Sequence, residues 1–127
     1  MSLPFTNNEI LQNAVTATVS VANSLPFDVS KRQKMSIQFL ASAISSGNGV
    51  FTVSVSNDGT NFITYNRLTD NVTNTNGQND TRVASCTLSS NTSKIYFFPA
   101  GDYFRYIKCS VAVTTDGAYS AILQSAG

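Results

Sequence analysis

The residues of this chain that could bind a metal or act in catalysis are mostly aspartates in short polar loops. The loop Ser56-Asn57-Asp58-Gly59 is ambiguous, because an acidic loop with a glycine is typical both of calcium sites and of plain β-turns. A calcium loop needs oxygen ligands at alternate positions and a distal bidentate carboxylate, whereas the next acid after Asp58 is Asp70. Gly59 adopts the positive φ of a tight turn without a steric penalty. The spacing therefore predicts a hairpin turn rather than a metal site.

The composition gives no support to the commonest catalytic machinery. The chain has no histidine, which removes Ser-His-Asp and Cys-His nucleophile systems and the usual general acid or base near neutral pH. Several acids stand beside Gly or Asn, where an aspartate caps its own loop; they are Asp58, Asp80, Asp102 and Asp116. Cys86 and Cys109 lack a CxxC metal spacing and are predicted to be small buried hydrophobic residues. The sequence predicts a protein that is not an enzyme and needs no metal or cofactor.

Aromatic side chains are concentrated on both sides of a single turn near residue 100. The cluster comprises Tyr96, Phe97, Phe98, Tyr103, Phe104 and Tyr106, with Arg105 and Lys108 between them. One interpretation is a stacking platform for sugars or single-stranded nucleic acid, in which rings and cations alternate. The other is that alternate residues fill the core while the rest line an exposed face, the predicted core members being Ile95, Phe97, Phe104 and Tyr106. We favour core packing combined with a subunit contact, since aromatic residues dominate both kinds of packing.

The charge balance argues against nucleic acid as a partner and favours self-association. Lys and Arg number 8, Asp and Glu number 7, and charged residues make up only 12% of the chain. A net charge of +1 offers no basic surface to phosphates and produces little repulsion between copies. No stretch is long and apolar enough for a membrane span, and the first residues lack the pattern of a secretory signal. The sequence predicts synthesis in a cytoplasm, with neither membrane nor nucleic acid as a partner.

Period-two alternation of apolar and polar residues dominates the chain and predicts β-strands. Met35, Ile37 and Phe39, for example, alternate with Ser36 and Gln38. Such runs extend over residues 14–21, 35–42, 51–55, 62–65, 81–88, 94–98, 103–113 and 118–124. Turn residues separate them every ten residues or so. This pattern predicts an all-β fold, an antiparallel β-sandwich or jelly roll of about eight strands in which two sheets share one core.

Two internal stretches depart from the alternation. Residues 22–34 are interrupted by Pro26 and by a basic cluster, so they are predicted to cross between the sheets or to form a short edge strand. Residues 68–80 lack the apolar spacing of any element and are predicted to be a long loop. A loop of that length in a compact domain is either functional or mobile.

The order of these elements resembles the small β-sandwich proteins of tailed bacteriophage virions, such as head decoration and tail-associated proteins. The features that carry the resemblance span residues 14–124: a Val- and Thr-rich first strand, the Asp28-Val29-Ser30 crossover, the strand Met35 to Ala41, the hairpin Val53 to Phe62, and the segment Ala100 to Lys108 before the last strand. Hairpins of this kind also occur in carbohydrate-binding and other adhesive sandwiches. An aromatic residue, often tryptophan, commonly follows the turn in such proteins, and here it is Phe62.

The resemblance implies a structural role without catalytic residues. It predicts a non-enzymatic virion protein, a capsid decoration or accessory protein that forms homo-oligomers, a trimer being one option, and binds a capsid or tail protein. The protein would be made in the host cytoplasm and would leave with the virion by lysis. The alternative is a carbohydrate- or receptor-binding module of a phage tail or adhesin, which would bind glycans through Tyr65, Tyr96, Tyr103 and the loop 70–80. Fold alone does not separate these functions.

Residues 1–13 are predicted to be an N-terminal arm that precedes a single sandwich domain of residues 14–127. The arm carries large apolar side chains, each worth about 1.5–3 kcal/mol when covered. It is expected either to dock on a neighbouring subunit or the capsid, with Phe5 and Ile10 as anchors, or to fold back over its own sheet edge. The predicted partner-binding residues of the whole chain are Leu3, Phe5, Ile10, Leu11, Tyr96, Tyr103 and Arg105.

Overall fold

The computed structural model describes residues 6–16, 21–24, 26–32, 34–70, 81–99 and 101–126. All the regular structure in these ranges is extended. The strands are β1 Thr6–Val15, β2 Val21–Asn23, β3 Phe27–Asp28, β4 Lys34–Ser42, β5 Asn48–Ser56, β6 Ile63–Thr64, β7 Leu68–Asp70, β8 Thr81–Val83, β9 Cys86–Leu88, β10 Ser93–Phe97, β11 Tyr106–Thr114 and β12 Ala118–Ala126. A search of the same ranges finds no helix with the length and apolar character needed to cross a membrane.

The strands form two antiparallel sheets that enclose a single core. The first sheet has the order β1-β12-β4-β10-β7-β8, and the second has the order β2-β11-β5-β6, with β3 also beside β11 and β9 beside β5. The longest ladders lie in the middle of the sheets, where β12 pairs with β4 and β11 pairs with β5 along nine residues each. This architecture confirms the predicted antiparallel β-sandwich.

Alternation along the central strands decides which side chains form the core. In β4, Ile37 and Phe39 are fully buried, whereas Ser36, Gln38 and Leu40 are only half-buried. The same alternation recurs in the other central strands, because a pleated strand directs successive side chains to opposite faces. Their buried members are Phe51, Val53, Val55, Ile107, Cys109, Val111, Val113, Tyr119, Ala121 and Leu123. The inner faces predicted for β4 and β5 are therefore confirmed.

An aromatic stack joins the two sheets in the core. The ring of Phe39 in β4 lies on the ring of Phe51 in β5, with centroids 4.5 Å apart and an interplanar angle of 26°. Tyr96 packs against Phe39 at 5.8 Å, and Tyr119 meets Phe51 edge-on at 6.1 Å. Each such pair contributes about 0.5–1.5 kcal/mol beyond its buried area. The stack thus ties β4 and β10 of the first sheet to β5 of the second.

The structure has more strands than predicted, because several are short and adjacent segments enter different sheets. The predicted strand 81–88 divides at Ala84 and Ser85 into β8 of the first sheet and β9 of the second. β7 lies in the stretch predicted to be a loop, where Leu68 is fully buried; residues 71–80 lie outside the described residues. β2 and β3 both pair with β11, which agrees with the edge-strand alternative for residues 22–34.

The face predicted for the aromatic cluster is wrong on β10. Ile95 and Phe97, which were predicted to fill the core, are 42% and 39% exposed, whereas Tyr96 is buried. Of the other two predicted core residues, Phe104 is buried and Tyr106 is half-buried. Because β10 is apolar on both faces, alternation alone does not reveal which face points inward. The pairing of β10 with β4 decides it.

Most of the segment predicted to be an N-terminal arm forms the edge strand β1. Thr6–Val15 pairs with β12 of the same chain, with register shifts after Ile10 and after Gln12, and Ala14 has a φ of 50°. The Gln12 side-chain amide donates to the carbonyl oxygen of Cys109 in the second sheet at 2.8 Å. β1 therefore crosses the boundary predicted at residue 13. The register shifts break the period-two pattern there, which is why the sequence does not show the strand.

A substitution at Gly49 tests the tightness of the core. A Cβ at this position would lie 2.5 Å from the ring of Tyr119, which is fully buried. Because the ring cannot move outward without opening the core, we expect Gly49→Ala to lower the free energy of unfolding by about 1–3 kcal/mol. Urea denaturation measures the change, with Ser54→Ala on the outer face of the same strand as the matched control. Equal stability of the two variants would contradict this packing.

The buried thiol of Cys109 gives a second test, of pH dependence. Burial, with a smaller effect from Cys86, raises the pKa of the Cys109 thiol to about 12. The unfolded chain loses this proton at lower pH than the folded chain, so the stability that the protonated thiol provides is complete below about pH 9 and declines towards pH 12. We expect the slope of unfolding free energy against pH in this range to be shallower in Cys109→Ala, by at most about 1.4 kcal/mol per pH unit. Identical slopes would refute a buried, neutral thiol.

Candidate functional site

The hairpin between β5 and β6 is a turn whose oxygens are used by the turn itself. The Asp58 carboxylate accepts the backbone N–H of Asn61 at 2.8 Å and of Thr60 at 2.9 Å, and the hydroxyl of Ser56 at 2.8 Å. These hydrogen bonds, led by that from the backbone of Asn61, hold the Asp58 pKa well below its usual range. Within the described ranges there is no group of three or more acids or cysteines that could hold a metal ion. β5 and β6 pair on the two sides of these residues, which confirms the predicted hairpin turn.

Tyr65 is a buried residue whose hydroxyl belongs to a partly exposed polar cluster. Its hydroxyl donates to Asp102 Oδ2 at 2.5 Å, and the same oxygen lies 3.1 Å from Arg67 Nε. Its ring packs on Phe98 and Phe104 with centroids 5.1 and 5.7 Å away. Burial, together with the bond to Asp102, raises the pKa of Tyr65 above its ordinary value. Tyr65 therefore stays neutral and presents neither a base nor an open ring to a ligand.

The outer face of the second sheet carries cations that lie on its aromatic rings. The guanidinium of Arg105 is 5.1 Å from the ring centre of Tyr106 and 3.5 Å from the Asp28 carboxylate. The ammonium of Lys108 is 4.4 Å from the ring centre of Phe62. Such contacts contribute about 0.5–1 kcal/mol at exposed sites. Because the rings are already in contact with the chain's own cations, this face is a poor stacking platform.

The outer face of the first sheet is different, because it combines exposed apolar side chains with neutral polar ones. Directly paired residues share a face, and one row crosses four strands in the order Ile95, Gln38, Ile122 and Ile10. Ile10 is 63% exposed. We call this surface the uncharged face and define it by Ile10, Ser36, Gln38, Leu40, Ser93, Ile95, Phe97, Ser120, Ile122 and Gln124. None of these residues is charged, although Lys34 lies at one corner and Arg82, which pairs through Thr69 with Phe97, lies at the β8 edge.

Two shallow grooves flank the central row of this face. One, of about 400 Å³, is lined by Lys34, Met35, Ser36, Phe97, Gln124, Ser125 and Ala126. The other, of about 540 Å³, is lined by Leu40, Ala41, Ser42, Asn91, Thr92, Ser93, Ala118 and Ser120. The surface therefore has two open depressions beside its central row, which is a shape suited to contact with another protein surface rather than to enclosing a small molecule.

The structure separates the residues that the sequence predicts to bind a partner. Ile10 is exposed on the uncharged face, whereas Leu11 packs against the chain's own core and Tyr96 is buried. Tyr103, 80% exposed, and Arg105 lie between β10 and β11, away from that row. Leu3 and Phe5 lie outside the described residues. The predicted residues thus do not form one surface in the part of the chain that the structure describes.

Sequence reasoning did not single out Gln38, Leu40 and Ile122, which form the middle of the uncharged face. The alternation of inward and outward residues along the strands already identifies them. Ile122 lies between Ala121 and Leu123 and therefore points away from the core face that those two residues occupy. Ile122 therefore adds a large apolar side chain to the outer face of the first sheet.

Comparison with known proteins shows a shared fold at low sequence identity. No family model and no curated protein matches the chain. Among solved structures, the SPBc2 prophage-derived protein YomS is similar with a TM-score of 0.60 and 14% identity, over 98% of this chain and 97% of that one. The PBSX exported protein XepA is similar with a TM-score of 0.56 and 15% identity, and the match covers 95% of this chain and 37% of the XepA chain. The structure of infectious bursal disease virus, Gx strain, is similar with a TM-score of 0.54 and 9% identity, and the match covers 98% of this chain and 33% of the viral chain. The sandwich is thus a fold that this chain shares with prophage-derived and viral proteins.

Proposed function

We propose that this chain is a non-enzymatic structural protein of a phage virion, a capsid decoration or accessory protein that forms homo-oligomers and binds the particle surface. The observation that carries the proposal is the uncharged face, an extended outer sheet surface on which Ile10, Ile95 and Phe97 are exposed although the core is complete. The fold shared with a prophage-derived protein and a viral protein supports it.

The exposed apolar side chains of the uncharged face lower the solubility of the protein unless a partner covers them. Each of its large apolar side chains contributes about 1.5–3 kcal/mol when fully covered. Contiguous apolar surface of this kind on a soluble chain marks a contact site. The groups able to do chemistry are instead engaged within the molecule, as in the Tyr65–Asp102 bond and the Asp58 turn. Assembly is therefore better supported than catalysis.

The first residues of the chain supply a second set of contacts in this proposal. Leu3 and Phe5 precede β1, whose Ile10 is on the uncharged face. We place Leu3 and Phe5 against a capsid or tail protein, and Ile10 against a neighbouring subunit. Tyr103 and Arg105, both exposed, are candidates for the rim of the particle contact.

A carbohydrate- or receptor-binding module remains the second candidate, and Tyr103 is the observation that favours it. Its ring is 80% exposed, as a sugar-stacking residue requires. Tyr65 and Tyr96, the other predicted sugar contacts, are buried. A single exposed ring provides less stacking than the several that such a site uses, so we rank this function second.

Particle binding tests the first candidate. Purified protein should cosediment with heads or tails of the phage that encodes it, and Leu3→Asp combined with Phe5→Asp should weaken binding at least tenfold, since one covered side chain is worth about 1.5–3 kcal/mol. The melting temperature should not change. Thr64→Asp, on the exposed strand β6, is the matched control. Failure of the unmodified protein to bind either part of the particle would count against the proposed function.

A polysaccharide pull-down and a glycan array test the second candidate. We expect no retention of the unmodified protein, because only one of the predicted tyrosines is at the surface. Glycan binding that is lost in Tyr103→Ala but kept in Ile63→Ala, another exposed position, would reverse the ranking of the two functions.

A further inference from the structure

We propose that the uncharged face binds the same face of a second copy of this chain, giving a two-fold dimer in which the first sheets lie face to face. The inference rests on the proposed function, since it names the first partner of the assembling protein. A contact between identical patches is isologous. If one residue of the first copy contacts another residue of the second copy, the same two positions also meet with the copies exchanged. Such an assembly is complete with two copies.

The distribution of charge selects this partner. A charged surface placed on the uncharged face would bury ions without counter-ions, which costs several kcal/mol per ion. The outer face of the second sheet carries such a charge, because the ammonium of Lys108 lies there over the ring of Phe62. The surface on this molecule that matches the uncharged face is therefore the uncharged face itself.

The polar residues of the face are able to satisfy one another across a two-fold axis. Gln38 lies in the central row between Ile95 and Ile122. Its side-chain amide has both donors and an acceptor, so two copies are able to exchange hydrogen bonds. Ser36 and Ser120 on the adjacent rows also donate and accept. A carboxylate or an ammonium group at these positions would lack this self-complementarity.

The dimensions of the face are sufficient for a dimer. β4 and β12 each have nine residues. β10 is shorter, with five residues. With strands about 4.8 Å apart and about 3.3 Å per residue, the four strands give a face of about 500 Å² in projection. A stable interface covers about 800 Å² of accessible surface on each partner, and the accessible surface of projecting side chains exceeds their projection.

Cysteine cross-linking tests the geometry of the dimer. Both native cysteines are buried, so Gln38→Cys introduces an accessible thiol on the central row. A bis-maleimide that spans the about 10 Å between stacked sheets should join two copies of this variant. Thr52→Cys, on the outer face of the second sheet, is the matched control, because in the proposed dimer two such thiols are about 30 Å apart, three sheet spacings. Cross-linking of Thr52→Cys alone, or of neither variant, would overturn the proposal.

Analytical ultracentrifugation tests its energetics with a near-isosteric change. Gln38→Glu keeps the shape of the side chain but places two carboxylates together at the dimer centre, so we expect the dissociation constant of the dimer to rise on the order of a hundredfold. Thr52→Glu should leave it unchanged. The dissociation constant of the unmodified dimer should be nearly independent of salt, since no ion pair crosses the contact. A monomer at roughly millimolar protein, or a strong salt dependence, would contradict the inference.

The two proposals fail separately. A monomeric protein that still cosediments with particles would overturn the dimer and the homo-oligomer of the proposed function. It would support binding to the particle, with a particle protein then covering the uncharged face. A dimer that cross-links through Gln38→Cys but ignores heads and tails would support the dimer and overturn the virion function.

Discussion

The contact on which this structure depends is the stack of Phe39 on Phe51 between the two sheets. Because the two rings come from the central strands β4 and β5, their separation sets the distance between the sheets. Tyr96 and Tyr119 extend the stack to β10 and β12, and the Tyr119 hydroxyl donates to the Asp116 carbonyl at the turn before β12. The absence of a Cβ at Gly49 leaves room for the ring of Tyr119. One aromatic cluster therefore positions the strands that also form the uncharged face.

Sequence patterns predict the parts of this fold in which a strand has one apolar face. Ile37 and Phe39 alternate with Ser36 and Gln38, so the inner face of β4 follows directly from the pleat. On β10 both faces are apolar, and only the cross-strand pairing with β4 decides that Tyr96 points inward. The same ambiguity hid part of the uncharged face, because two of its exposed residues, Ile95 and Phe97, read as core. Patterns also do not reveal where a run such as residues 81–88 leaves one sheet for the other, since that depends on long-range pairing.

Most of the negative charge in the described chain is used to hold loops. Asp116 accepts the backbone N–H of Gly47 at 2.8 Å and those of Ser45 and Ser46 at 3.2 to 3.4 Å, which joins the β4–β5 turn to the β11–β12 turn. Asp58 does the same within its own hairpin, and Asp102 binds Tyr65 and Arg67. With only 12% of residues charged, little charge is left for the outer face of the first sheet. A contact made through that face therefore relies on shape, apolar contact and neutral hydrogen bonds.

The amide of Gln38 lies in the otherwise apolar central row of the uncharged face, where it makes association through this face specific. A row of isoleucines alone would gain more from burial, but any apolar surface would satisfy it, so it would favour indiscriminate association. An amide must find a hydrogen-bonding partner when it is covered, and leaving it without one costs about 1–3 kcal/mol. That penalty falls on every alignment in which the amide meets an isoleucine and is relieved where it meets another amide or a hydroxyl. In the proposed dimer, the position of Gln38 between Ile95 and Ile122 thus selects one register among the many that apolar contact alone would allow.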